Sequence, residues 1–156
     1  MRRKDREILD KNEIYKIMDD CTCCRIGFYD EGETYIVPMN FGYTVDNDNL
    51  TLYFHSANEG RKITLAKECP NVGFEMDCGY NLKGDDVACE YTASFKSIIG
   101  NGNISLVTDV KEKEFGMQRV MYQNTKKDDW KFNERMLAAV AIIKIEVTKI
   151  ACKVHL

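Results

Sequence analysis

Apolar and polar residues alternate one by one in segment after segment of this chain, and turn-forming clusters interrupt them at short intervals. Along residues 50–55, Leu50, Leu52 and Phe54 face one way while Thr51, Tyr53 and His55 face the other. Residues 71–76 repeat the pattern with Val72, Phe74 and Met76, and Ile143, Ile145 and Val147 alternate with Lys144, Glu146 and Thr148. Residues 34–41 are rich in β-branched and aromatic side chains. The stretch 91–107 is long and broken at Gly100-Asn101-Gly102-Asn103, so it reads as two strands or one strongly bent strand. Asp46-Asn47-Asp48-Asn49 is a dense turn signal that predicts a hairpin between its flanking strands.

Helical patterns punctuate these strands without alternating with them, which excludes a parallel array of strand–helix–strand units. Residues 5–20 carry Ile8, Leu9, Ile14, Ile17 and Met18 at nearly helical spacing. Residues 58–68 follow a strand directly and stop before Pro70. Asp109 with Glu112 three residues later predicts a capped helix to about Gln123, turning Phe115, Val120 and Met121 inward. Residues 133–139 suggest a short further helix. Short antiparallel strands with peripheral helices predict a mainly β fold, a β-barrel with helical additions.

The whole length of 156 residues suits one domain, and no repeat or linker-like tract divides it. A net charge of −3 offers no general attraction for nucleic acid. The longest fully apolar run, residues 136–143, holds eight residues, against about 20 for a membrane-spanning helix. The start, Met1-Arg2-Arg3-Lys4-Asp5-Arg6-Glu7, is basic but lacks the apolar core of a secretory signal, so a cytoplasmic location is expected. Seven cysteines are an odd count in a chain of this size, and most are expected to be free thiols packed as small core residues.

The segment Leu52-Tyr53-Phe54-His55-Ser56-Ala57-Asn58-Glu59-Gly60-Arg61-Lys62 carries the clearest chemistry. A strand ends in small polar residues, and a helix begins at a glycine followed by two cations. The first N–H groups of a helix have no partner inside it and attract anions, phosphate above all. Ser56 adds a hydroxyl, Arg61 a two-pronged contact and Lys62 a point charge, while Gly60 permits close backbone approach. Cations in a first turn oppose the helix dipole unless an anion joins them. Neither a P-loop nor a dinucleotide fingerprint is present. In Tyr35-Ile36-Val37-Pro38-Met39-Asn40-Phe41-Gly42-Tyr43, a proline inside a strand marks an edge or bulge, which frees its neighbours and Asn40 to meet a ligand. Ser94, Ser97 and Gly100 are small enough to admit a ligand or a second subunit.

Taken in order, these segments together with Cys89-Glu90-Tyr91 and Ser97-Ile98-Ile99-Gly100-x-Gly102 strongly resemble one family over nearly the whole chain. It is the pyridoxamine 5′-phosphate oxidase-like flavin-binding proteins, in the branch of the 5-nitroimidazole resistance nitroreductases. The resemblance implies a split β-barrel homodimer with FMN at the subunit interface. It implies that Ser56, Gly60, Arg61 and Lys62 hold the phosphate and that Val37, Pro38, Met39 and Asn40 line the flavin ring. His55 would lie beside the cofactor as a general acid/base or hydrogen-bond partner, with Ser97 and Gly100 near the cofactor or the dimer seam. The activity implied is NAD(P)H-dependent reduction of a small acceptor such as a nitroaromatic or quinone. Rival functions on the same barrel are non-catalytic binding of flavin, F420 or haem, and pyridoxamine 5′-phosphate oxidation. Arg61 stands where many relatives carry lysine, which keeps the charge. The short stretch after the final strand disfavours the namesake reaction.

Other candidates are weaker. Cys21-Thr22-Cys23-Cys24 supplies one C-x-x-C pair without a second, so no metal site is expected. His155 is expected to be solvated or frayed at the chain end. Trp130, in a charged loop, either docks on the barrel or covers a pocket.

Overall fold

The alternating segments become one eight-stranded antiparallel sheet in the computed structural model, which describes residues 3–84 and 86–156. Met1 and Arg2 of the basic start lie outside the described residues. In chain order the elements are β1 (Glu7–Ile8), α1 (Lys11–Asp20), β2 (Cys24–Asp30), β3 (Glu33–Met39), β4 (Phe41–Asp46) and β5 (Asn49–Ser56). They continue as α2 (Arg61–Glu68), β6 (Asn71–Lys83), β7 (Thr92–Leu106), α3 (Val110–Thr125), α4 (Glu134–Ala138) and β8 (Ala141–His155). The strands are ordered β3-β2-β6-β7-β8-β5-β4, with β1 added to β8. β3 and β4 therefore sit at opposite ends of this order, yet only Asn40 separates them in the chain. One residue spans a few ångströms, so the sheet must curl until its two edges meet at Asn40. The result is a split β-barrel with helices at its periphery.

The core lies inside the curl. Phe28, Phe41, Phe54, Met18 and Leu52 are almost fully buried, and Ile143 and Ile145 of β8 face them. Cys21, Cys24 and Cys152 are buried among these side chains. Burial, and then the neighbouring Cys78 thiol, pushes the Cys21 thiol well above its ordinary range, and burial does the same to Cys24. Both are protonated packing groups at neutral pH.

Several expectations meet a different local structure. The first helix begins only at Lys11, because the Asp10 carboxylate caps it by accepting from Glu13 N at 2.9 Å. The residues ahead of it form a short turn and then β1, where Ile8 pairs with Cys152. β2 went unread in the sequence, although Cys24, Ile26 and Phe28 alternate inward; Gly27 hides the period. Residues 91–107 hold one bent strand, β7 (Thr92–Leu106), with the register shifting between Asn101 and Gly102. Asp109 caps α3 as expected, accepting from Glu112 N at 2.8 Å. Val120 of α3 is buried, but Phe115 stays exposed with its edge on the Tyr53 ring, and Met121 is half-buried.

The inward polar residue of α3 is Gln123. Its amide donates to Met18 O at 3.0 Å and Cys21 O at 2.9 Å, tying α3 to the end of α1. His155 is held rather than frayed: it lies in β8 opposite Phe95, its Nδ1 2.7 Å from Ala93 O. Trp130 docks on α3, donating from Nε1 to Thr125 Oγ1 and accepting at its carbonyl from Gln118 Nε2.

Candidate functional site

The corner where the sheet edges meet also brings together the C-terminal ends of β3 and β5 and the first turn of α2. Val37, Pro38, Met39 and Asn40 come from the first, His55 from the second and Lys62 from the third; they line a cleft of about 220 Å³. β3 is the edge strand, where Pro38 has no N–H to withhold from an outer neighbour. Met39 is buried and Val37 half-buried, so the wall is apolar at its base. Asn40 is less free than its loop position suggests. Its amide nitrogen donates to Thr22 O at 3.2 Å and Asn124 Oδ1 at 3.0 Å, leaving the side-chain oxygen for a ligand. His55 is exposed at the cleft.

Ser56 ends β5, four residues before Gly60. It is buried, and among the described residues its Oγ has no hydrogen-bond partner. A buried hydroxyl left unpaired costs free energy on the order of 1–3 kcal/mol, but Ser56 points to the inner face of β5, opposite to His55, and neither it nor Gly60 lines the cleft. Gly60 precedes α2 at φ 122°, a conformation that side chains resist, and it supplies no side-chain cap. By contrast Asp10, Asp109 and Asn133 cap α1, α3 and α4. The start of α2 is thus left with uncapped N–H groups, and its half-buried Lys62 has no ion-pair partner among the described residues. These features fit the phosphate end of a cofactor.

Arg61 takes another course. Its Nε donates to Asp30 Oδ2 at 2.7 Å, Nη2 lies 2.6 Å from the same oxygen, and the guanidinium stacks 4.6 Å from the Tyr35 ring centre. It borders the start of α2 without lining the cleft. Asp30 carries no local signal, since it lies 31 residues away and ends β2, a strand whose alternation Gly27 masks. Ser97 and Gly100 also lie outside the cleft. Ser97 is paired within the sheet to Asp77 and Lys153. Gly100 lines a second, larger concavity of about 620 Å³ with Gly27, Ile36, Phe74, Ile99 and Ile150. Among the described residues no group of three or more His, Cys, Asp or Glu side chains is placed to hold a metal, and no helix is long and apolar enough to cross a membrane.

A sheet curled until its two edge strands meet at one corner, with helices at its periphery, defines a split β-barrel. The family model described as pyridoxamine 5′-phosphate oxidase matches residues 10–154. The chain belongs to that family, in the branch resembling the 5-nitroimidazole resistance proteins. A candidate 5-nitroimidazole antibiotic resistance protein from Bacteroides thetaiotaomicron is 32% identical, with 95% of this chain and 86% of that chain covered and a TM-score of 0.81. The flavocytochrome Anf3 from Azotobacter vinelandii shares the fold at 17% identity, covering 100% and 72% of the two chains, with a TM-score of 0.80. An FAD and heme binding protein from Mycobacterium smegmatis does so at 11% identity, covering 96% and 73%, with a TM-score of 0.82. Comparison with curated proteins found no match.

Proposed function

We propose that this protein binds FMN in the cleft of β3, β5 and α2 and uses it to reduce a small acceptor, such as a nitroaromatic or quinone, with electrons from NAD(P)H. The observation that carries this is the uncapped start of α2, whose half-buried Lys62 lines the cleft and has no ion-pair partner among the described residues. The similarity to a flavocytochrome and to an FAD and heme binding protein supports a flavin as the ligand. When bound, FMN supplies hydride acceptance and donation, which no side-chain constellation here replaces.

The chain's own contribution is placement. Lys62 and the first N–H groups of α2 hold the phosphate, Arg61 borders it, and Ser56 ends the strand that leads to it. Val37, Pro38 and Met39 offer an apolar wall that keeps water from the ring, and the free Asn40 oxygen accepts a hydrogen bond. His55 stands at the open side of the cleft, where it can position the acceptor or exchange a proton with it. The experiment is the visible spectrum of the purified protein, with identification of any chromophore released by heat. A two-banded yellow spectrum with FMN in the released fraction is expected, and NAD(P)H should bleach it anaerobically. A Soret band would move the protein to haem handling, and a colourless protein that ignores added FMN would end the proposal.

The same proposal includes a homodimer joined at the second concavity. Its rim exposes Ile36 at 61%, Ile99 at 53% and Ile150 at 37%, an apolar surface that water disfavours. Replacing Ile99 with aspartate is expected to leave folding intact, because the side chain is exposed, while converting a dimer to a monomer. Light scattering on both proteins checks this, and a parent that is already monomeric refutes it.

A further inference from the structure

We infer that Asp30 is a positioning residue for the phosphate end of the cofactor, acting through Arg61. This rests on the FMN-phosphate reading of the α2 start. Asp30 holds the guanidinium through Nε and Nη2 only. Among the described residues Nη1 has no partner, so one edge of the fork remains for an anion. The plane of the fork is set independently by Tyr35, whose ring lies 4.6 Å beneath it. Tyr35 in turn packs against the fully buried Phe28, with 6.0 Å between ring centres.

The two partners are unequal in a telling way. The Asp30 side chain is 23% exposed, against 49% for Arg61. The carboxylate sits at the end of β2, paired through Glu33 into the β2–β3 hairpin, and is the anchored member. Arg61 is the first residue of α2 and is the member being held. Tyr35 belongs to β3, the strand that lines the cleft two residues later at Val37. Asp30 and Tyr35 therefore register the start of α2 against the strand that would face the ring. A half-exposed ion pair adds little to stability, so orientation is the effect such a contact can have. The charge of Asp30 is already offset by the guanidinium it holds, so its net repulsion of a phosphate is small.

The test is a fluorescence-quenching titration of the apoprotein with FMN and with riboflavin, which lacks the phosphate, on the parent, D30N, D30E, R61A and D30N/R61A. The parent should prefer FMN clearly over riboflavin. D30N should weaken FMN about tenfold, the scale of one impaired charge-assisted hydrogen bond, and leave riboflavin within about twofold. D30E, which keeps the carboxylate, should recover most of the loss. In the R61A background D30N should add nothing, as expected if one residue acts through the other. Unchanged or tighter FMN binding by D30N overturns the assignment of Asp30, as does an equal loss of FMN and riboflavin. If the parent itself holds riboflavin as tightly as FMN, the phosphate site falls, and the role of Asp30 falls with it.

Discussion

Replacing Arg61 and Lys62 together with alanine is expected to weaken FMN binding by about 3 kcal/mol, or roughly 150-fold, without unfolding the protein. A hydrogen bond to a charged group contributes about 1.5–3 kcal/mol when it forms out of water. Two such contacts would together contribute about 3–6 kcal/mol, but Arg61 is exposed and shares its guanidinium with Asp30, so its part is discounted. Lys62 is half-buried within the cleft and has no ion-pair partner among the described residues, so it carries the larger share. Neither side chain belongs to the core, and the loss of one partly exposed ion pair should move the melting temperature little. Titration of the apoprotein with FMN measures the effect directly. A double variant that binds FMN as tightly as the parent places the phosphate elsewhere, and the reading of the α2 start is then wrong.

A larger effect on stability is expected from Gly42→Ala, which should cost about 3 kcal/mol, at the upper end for an overpacked site. A methyl at this position would collide with the Arg119 carbonyl group and with Val120 N. Both are backbone atoms of α3, and they cannot swing aside as a side chain would. The helix would have to lift off β4, breaking the Arg119 Nε bond to Tyr43 O at 2.9 Å. It would also loosen the small core of Tyr53, Val107, Val120 and Ile142, and pull Gln123 from the carbonyls it satisfies at the end of α1. Urea unfolding of the parent and the variant checks this. A midpoint change worth less than about 0.5 kcal/mol, the range of ordinary surface substitutions, would show that α3 is not seated as described.

The legible part of this protein consists of effects that act over a few residues. The period of two along β5 and β6 was readable because Leu50, Leu52 and Phe54 of the one, and Val72, Phe74 and Met76 of the other, face one core. The Asp109 cap and the Pro38 edge were readable for a similar reason, since a capping bond spans three residues and a missing N–H is a property of proline itself. The anion-attracting start of α2 was likewise visible in Gly60, Arg61 and Lys62. Its helix begins later than the spacing suggested, because φ at Gly60 ends the preceding turn.

What only the tertiary structure decided is which distant groups those local elements meet. Arg61 reads from the sequence as a phosphate ligand like Lys62, but the curl of the sheet sets Asp30 and Tyr35 beside it and leaves it one free edge. Ser97 and Gly100, small residues that could serve a ligand or a seam, are carried by β7 away from the cleft, with Gly100 in the second concavity. His155 gains its partner only because β7 returns alongside β8. The alternation of side chains determined that a β-rich sheet would form and which faces it would bury. Strand order, set by through-space packing between segments far apart in sequence, determined where its edges meet and so where the cleft lies.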